Sequence, residues 1–393
     1  MTDVCLIFQV HQPYRLKEYG FELIGKDHSY EDSARNISVL NRIADLCYIP
    51  TNKILLDAIE KHKGKFRIAF SISGTCLEQF YRYRPDVIES FRRLSQTGCV
   101  EFLAETYYHS LACLYSEAEF RRQVVKHERA IQNLLEVRPT VFRNTELIYS
   151  DKLLPVISEL GYKTILAEGK SQNMGGLSPN RVFSAGLENI NILTRNFGFS
   201  DDIAFRFADP SWSEFPLSGK KFANWLSKRE QDEHSLVLYM DYETFGEHRK
   251  QETGIMDFLG ALPDEIVKHE NLQFSLPSDA AKNGPENKPV YSSKDWTSWA
   301  DEDKDLGAWH YDHMQKDALK NLYACELSLY KIGRPDLLDT WGRLQTSDHF
   351  YYMSTRFWQD PVHRIFNPYN SPYDAYLNFM NALSDFKGLI MKA

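Results

Sequence analysis

The stretch LVLYMDYETFGEHR, Leu236 to Arg249, holds the densest chemistry in this 393-residue chain. An apolar run feeds directly into Asp241, Tyr242, Glu243, Glu247 and His248. Three acids and a histidine at a strand end are poor core material. They suit the C-terminal rim of an α/β barrel, where active sites are assembled. The alternative is a solvated loop whose acids cap the next helix. A second junction, TVFRNTELIYSD, takes Thr140–Phe142 into Arg143 and Glu146, then into apolar Leu147 and Ile148. A carboxylate wedged there is costly unless it has a partner or a task. Arg143 can supply the partner, so a structural Arg143–Glu146 pair is the alternative reading. Glu146 and Asp241 stand 95 positions apart, which is about three strand–helix units. Both can therefore reach the mouth of one barrel. Two carboxyls facing across a cleft are what glycosidic bond cleavage uses, one attacking the anomeric carbon and the other protonating the departing oxygen. The spacing permits this chemistry without establishing it.

Three further strand ends or loops carry polar clusters. The first strand finishes in Val10, His11, Gln12 and Pro13, where a histidine serves equally as a structural hydrogen-bonder or a substrate ligand. GCVEFLAETYYHSL, Gly98 to Leu111, sets Glu101, Glu105 and His109 on or just beyond another strand. LQTSDHFYYMS, Leu344 to Ser354, places Asp348 and His349 against three aromatics. A metal held by His11, Glu105, His109, Asp241 and His248 is conceivable, but the chain lacks HxH, HExxH and any Cys/His quartet. No metal or cofactor is expected. A serine or cysteine nucleophile is not favoured either: there is no GxSxG elbow, and Cys76 and Cys99 sit in apolar surroundings. The Asp201–Asp202 pair reads as a substrate-side or structural loop. Trp212, Trp225, Trp296, Trp299, Trp309 and Trp341 are a mixture of packing residues and possible sugar platforms.

The elements that must position these residues alternate. Strands are expected at Val4–Val10, Phe66–Ile72, Cys99–Ala104, Thr140–Arg143, Lys163–Ala167, Ile190–Arg195, Leu236–Met240 and Leu272–Leu276. Most are continuously apolar, as strands covered on both faces are. Helical patterns lie between them at Asn52–His62, Pro85–Thr97, Glu117–Leu135, Lys152–Leu160, Phe222–Gln231 and Gly254–His269. Strand and helix in repeated alternation predict an α/β fold with a parallel barrel, residues 1–277. No Gly-rich phosphate loop opens a helix. Residues 278–304, containing KNGPENKP, read as a linker or surface excursion. Residues 305–393 read as mainly helical, with helices at Trp309–Ile332, Pro335–Gln345 and Pro372–Lys387, packed against the barrel and contributing to its cleft. A net charge of −8 argues against nucleic-acid or anionic-membrane partners. Aromatics at 13% hint at carbohydrate, since their faces stack on sugars. The N-terminus MTDVCLIFQV reads as a buried strand and not a secretory signal. Six cysteines without CxxC spacing suggest a cytoplasmic protein without disulfides.

Five motifs come in order: HQP at His11–Pro13, GCVE at Gly98–Glu101, TELIYSD at Thr145–Asp151, DYETFGEH at Asp241–His248 and LQTSDHFYY at Leu344–Tyr352. Together they resemble the five sequence regions of glycoside hydrolase family 57, the α-amylase and 4-α-glucanotransferase family, over nearly the whole chain. The resemblance implies an incomplete seven-stranded (β/α) barrel followed by a helical bundle, and a retaining mechanism on α-glucans. By this resemblance Glu146 matches the nucleophile and Asp241 the general acid/base. His11, Glu101 and Asp348 match substrate-binding positions. Tyr242, His248 and His349, inside these motifs, and His109 and Arg143, close to them in the chain, are expected to join them around an α-glucan or maltooligosaccharide. Many members carry a Trp after the Ser-Asp pair of the fifth region, whereas this chain has His349, Phe350 and Tyr351. Its length fits the compact α-amylase-like group. A carbohydrate-binding protein that keeps the fold without turnover is the alternative class, and the presence of both carboxylates weighs against it.

Overall fold

The computed structural model describes residues 1–186, 189–228, 230, 232–356, 358–359 and 367–393. Its strands are β1 (Thr2–Val10), β2 (Ile68–Ile72), β3 (Val100–Phe102), β4 (Phe142–Arg143), β5 (Thr164–Glu168), β6 (Val182–Ser184), β7 (Asn191–Arg195), β8 (Ser235–Asp241) and β9 (Leu272–Phe274). Among the described residues seven parallel strands pair in the order β3-β2-β1-β8-β7-β5-β4. The two ends of this path meet. The Ala104 N–H donates to the Val141 carbonyl at 2.9 Å, and the Arg143 N–H donates to the Ala104 carbonyl at 2.8 Å. The path thus curls into a seven-stranded barrel with one thin seam between β3 and β4.

The β7–β8 seam is also thin, with Arg195 opposite Val237 as its one register pair. Above that pair, side chains take over the ladder. The Tyr239 N–H donates to Ser200 Oγ at 3.1 Å, and the Tyr239 carbonyl accepts from Arg195 Nε at 2.8 Å. Main-chain groups left open in a barrel wall must find such substitutes, because an unpaired buried peptide group costs about as much as a lost hydrogen bond.

Side-chain alternation sorts the barrel interior into layers. Cys5 and Ile7 of β1, Leu103 beside β3, Val141 beside β4, Leu166 of β5 and Val237 of β8 pack in one apolar cluster. One step further along the same strand faces come Gln9, Glu105, Arg143, Glu168, Arg195 and Asp241. The barrel is therefore apolar in its lower half and polar at its mouth.

Several elements differ from the sequence reading, each for a local reason. β6 is a short strand antiparallel to β7 that was not expected. Among the described residues two further helices of ten residues or more were not expected, Ser33–Ile43 and Gly74–Tyr83, the second started by Ser73 Oγ accepting from the Cys76 N–H. The helix expected at Phe222–Gln231 is Gly219–Ser227, and its predicted end at Gln231 lies outside the described residues. The helix expected at Trp309–Ile332 is three: Gly307–His310, His313–Tyr323 and Glu326–Ile332. Asp312 and Gln315 cap the middle one reciprocally, which fixes a fresh start inside the predicted run.

Residues 278–304 do not behave as a surface excursion. The helix Pro277–Asn283 puts Ala280 and Ala281 into the apolar cluster at the barrel base. Tyr291, Thr297 and Ser298 beyond it are buried, and Trp299 reaches the barrel mouth. Glycine, proline and lysine marked a segment without regular structure, which is different from a segment without contacts. The C-terminal helices share one core with the barrel: Leu319, Leu322, Trp341, Phe379 and Phe386 pack in the same cluster as Phe142, Ile165 and Ile192. All six cysteines are unpaired. Among the described residues no helix is long and apolar enough to cross a membrane.

Candidate active site

Beyond β4 the chain turns abruptly. Glu146 and Leu147 both have positive φ, 55° and 52°. Non-glycine residues held there cost about 1–3 kcal/mol each and persist only where their surroundings over-determine them. Here Leu147 is fully buried in the barrel's apolar cluster, while Asn144 Nδ2 donates across the turn to the Ile148 carbonyl at 2.9 Å. The turn throws the Glu146 side chain to the mouth. One of its oxygens lies 2.8 Å from His109 Nε2, and the other accepts from Trp299 Nε1 at 2.5 Å. His109 is itself a non-glycine residue at positive φ, 52°.

Behind His109 stands Glu105. It lies 2.9 Å from His109 Nδ1 and accepts from Ser71 Oγ at 2.8 Å and from Arg143 Nη1 at 3.2 Å. Glu146 keeps 15% of its side chain exposed, against 0% for His109 and 1% for Glu105. Of the three, only Glu146 can meet a ligand. His11, from the end of β1, stacks on His109 with ring centroids 3.9 Å apart. Its Nδ1 lies 2.7 Å from Ser73 Oγ and its Nε2 lies 2.9 Å from Asp348, so the C-terminal region reaches the same site.

Asp241 ends β8 in a different setting. Its Oδ1 accepts from Gln9 Nε2 at 3.0 Å, and Gln9 Oε1 in turn accepts from the Tyr239 hydroxyl at 2.6 Å. The tyrosine orients the amide, and the amide presents a donor to one carboxyl oxygen.

The electrostatics separate the two carboxyls. Burial alone would raise Glu146, but the hydrogen bond and charge of His109, with Arg143 and the Trp299 N–H, hold it below the usual glutamate range. Burial and then the charge of Glu146 push Asp241 up to about 7, against the opposing pull of Arg143, Arg195 and His109. Burial would lower His109, yet its hydrogen bonds to Glu105 and Glu146 carry it up to about 9. Glu105, despite its burial, is drawn down to about 2 by Arg143 and His109. Burial and the neighbouring His109 lower His11.

His11, His109, Arg143, Glu146, Asp241 and Asp348 are thus linked around the barrel mouth. Three expected binding residues lie elsewhere. Glu101 is on the same face of β3 as Glu105 but one apolar layer lower, accepting from Thr140 Oγ1 at 2.7 Å and the Ser278 N–H at 2.9 Å. Tyr242 points out of the barrel into the helix layer, stacked near Phe8 and Tyr48, and its hydroxyl donates to Asn52. His349 turns into the C-terminal helices, its Nε2 3.2 Å from the Arg343 carbonyl and its ring beside Phe379. His248 stays in the loop after β8, its N–H donating to the Glu243 carbonyl at 2.8 Å, and burial holds its imidazole down at about 4. That loop needs Gly246: its φ is 109°, and a Cβ there would meet the Leu46 carbonyl oxygen at 2.0 Å. Asp201 and Asp202 are ion-paired, to Arg195 and Arg206.

Sequence reasoning passed over Gln9, named Trp299 only among six tryptophans that could include sugar platforms, and left Glu105 only as a conceivable metal ligand. Strand parity offered one signal, since Glu105 is four residues from Glu101 on the same face and nearer the mouth. Nothing local marked Trp299. Among the described residues no group of three or more His, Cys, Asp or Glu side chains is arranged to hold a metal ion.

A parallel barrel with two carboxyls of divergent acidity at its C-terminal mouth has the form of a glycoside hydrolase. The chain belongs to glycosyl hydrolase family 57, whose model matches residues 5–293. A Methanocaldococcus jannaschii protein named "Putative alpha-amylase" is 38% identical over 392 residues, spanning 97% of this chain and 83% of that one. Among solved structures, a GH57-type branching enzyme from Pyrococcus horikoshii superposes with a TM-score of 0.68 at 12% identity, over 93% of this chain and 87% of that one. The alpha-amylase AmyC from Thermotoga maritima superposes with a TM-score of 0.63 at 14% identity, over 100% of this chain and 94% of that one. At those identities the two structures speak for the fold.

Proposed function

We propose that the chain is a retaining, α-amylase-like hydrolase of α-1,4-linked glucans. The observation that carries this reading is the contrast between the two mouth carboxyls: Glu146 lies against the His109 ring and the Trp299 N–H, which hold it below the usual range, while Asp241 has only the neutral Gln9 amide and is pushed up to about 7. Around neutral pH such a pair supplies one carboxylate and one carboxylic acid, which double displacement requires. In the first step a Glu146 oxygen bonds to the anomeric carbon while Asp241 gives its proton to the glycosidic oxygen. The bond to the leaving chain breaks, and a glycosyl ester remains on Glu146. In the second step Asp241, now ionised, takes a proton from water as the water oxygen bonds to the anomeric carbon. The ester bond breaks, Glu146 leaves as carboxylate, and Asp241 is again an acid. Each step inverts the anomeric centre, so the product keeps the substrate's configuration.

In this reading His11 and Asp348, which border the mouth, hydrogen-bond sugar hydroxyls. The wholly buried His109 and Arg143 serve Glu146. The α-glucan class is supported by the family and by the names of the M. jannaschii and T. maritima proteins. A cytoplasmic setting belongs to the same proposal, supported by the six unpaired cysteines. If a second sugar replaces water in the second step, the same residues act as a 4-α-glucanotransferase. Incubation with maltoheptaose and resolution of products by length tests the reading. Shorter products alone mean hydrolysis, and longer ones as well mean transfer. An unchanged substrate overturns both in favour of a binding protein. The mechanism also requires the two carboxyls about 5–5.5 Å apart in a ligand-bound structure, and a separation beyond about 9 Å would remove double displacement.

A further inference from the structure

His109 has no lone pair to spare. Its Nδ1 faces Glu105 at 2.9 Å and its Nε2 faces Glu146 at 2.8 Å. A neutral imidazole offers one donor and one acceptor, so one of these contacts would set a nitrogen lone pair against a carboxylate. With both glutamates ionised, as their donors from Ser71, Arg143 and Trp299 favour, both contacts are favourable only when the ring is a doubly protonated imidazolium. A fully buried cation needs a counter-charge. Glu146 cannot be the only one, because on the proposed pathway its charge is consumed each time it becomes a glycosyl ester. Glu105 is the permanent one: it is buried, tied to Ser71 and Arg143, and shut off from the mouth by the His109 ring.

We infer that Glu105 is a positioning residue of this reaction, acting through His109 to keep an imidazolium fixed against Glu146. The inference rests on the reading of Glu146 as nucleophile. The imidazolium then does two things. It keeps the single acidic proton of the pair on Asp241, since a cation 2.8 Å from Glu146 favours the ionised form there. It also steadies Glu146 as a leaving carboxylate when the glycosyl ester breaks. The other charged or titratable groups around His109 are His11, stacked on its face, with Asp348 behind that ring; Arg143 from β4; and Asp241 from β8. Loss of the Glu105 charge would let the ring become neutral, aided by Arg143 and by crowding from His11. Glu146 would then face a neutral donor. An opposite charge at this range typically depresses a carboxylate by about 1–3 pH units, and that is the size of the expected loss.

The test is nitrogen NMR on the full chain labelled at its histidine side chains, with the His109 signals assigned by the His109→Asn variant. Wild-type protein at pH 7 should show both His109 nitrogens protonated, and a neutral tautomer there overturns the inference without any variant. In Glu105→Gln the His109 ring should be neutral at pH 7, and Glu105→Asp should restore the imidazolium. With maltoheptaose, Glu105→Gln should lift the acid limb of the kcat/KM profile by about 1–3 units and cut kcat about tenfold or more at pH 5–6, with KM little changed. A Glu105→Gln protein that keeps its imidazolium, or one whose acid limb stays in place, overturns the inference. The spectrum decides the role of Glu105 toward His109 without a substrate. An intact imidazolium in a wild-type protein that leaves maltoheptaose untouched overturns the functional reading instead.

Discussion

Glu146 and Asp241 follow strands of the same barrel and are both partly buried, yet their surroundings differ in kind. Glu146 receives a charged donor on one oxygen and an indole N–H on the other. Asp241 receives one neutral amide, itself steered by a tyrosine, and feels the negative charge of Glu146. Burial pushes both carboxyls toward the neutral form, and the count and charge of the donors decide which one resists. Two carboxyls of similar intrinsic acidity are thus shifted in opposite directions through neighbours that neither motif encodes.

The sharpest way to break this comparison is to delete each carboxyl. Asp241→Ala should lose about 10²–10⁴-fold on maltooligosaccharides, whose alkoxide leaving group needs a proton. On a fluoride or nitrophenyl glycoside its first step should be largely spared, with a glycosyl-enzyme accumulating and azide releasing it as an α-glycosyl azide. Glu146→Ala should fail on both substrate types, and azide should then give a β-glycosyl product by direct attack. Steady-state rates and product anomers read both results, and the opposite pattern would exchange the two roles.

A smaller change equalises the surroundings. Trp299→Phe removes one donor from Glu146 and keeps the ring near its place. Hydrogen bonds to charged groups are worth about 1.5–3 kcal/mol, so kcat/KM at pH 5 should drop by roughly ten- to a hundredfold, with the acid limb raised. An unmoved acid limb would mean that His109 alone sets the acidity of Glu146.

The pH profile of the unaltered protein probes both sides at once. Asp241 must be protonated for the first step and is raised to about 7, so kcat/KM should fall as pH rises through about 7. Glu146 must be ionised and is lowered, so the acid limb should lie below the usual glutamate value. A profile flat to pH 9 would remove Asp241 as proton donor.

The smallest effects should come from residues the motifs suggest and the fold sets aside. Tyr242→Phe loses one hydroxyl contact to Asn52, about 1 kcal/mol of stability. Glu101→Gln disturbs contacts to Thr140 and Ser278 at the lower end of the barrel. Both should keep kcat within about twofold while thermal unfolding shifts by a few degrees. A large kcat loss from either would bring it back into the site.

Hydrophobic runs made the barrel strands legible in the sequence, and the two junctions carrying Glu146 and Asp241 were legible because acids directly after an apolar strand are conspicuous. His11 and Asp348 were found through motifs and do meet, 2.9 Å apart, although 337 positions separate them. Glu101, Tyr242 and His349 were misplaced because a motif records which residues are neighbours in the chain and not which face each one takes. Along β3 and β8 that face alternates, so Tyr242 turns outward while Asp241 turns in, and one apolar layer separates Glu101 from the mouth. The irregular segment of residues 278–304 was read as a linker because it lacks periodicity, yet it delivers Trp299 to Glu146. Local pattern, then, determined the seven parallel strands, most of the longer helices and the placing of the two carboxyls at strand ends, since hydrophobic periodicity and strand-end polarity are properties of adjacent residues. Only the closed barrel decided which acid is lowered and which is raised, because His109, Gln9, Arg143 and Trp299 come from four separate parts of the chain. Their charges and donors act through distances of a few ångströms that exist only once the seams between β3 and β4 and between β7 and β8 have closed.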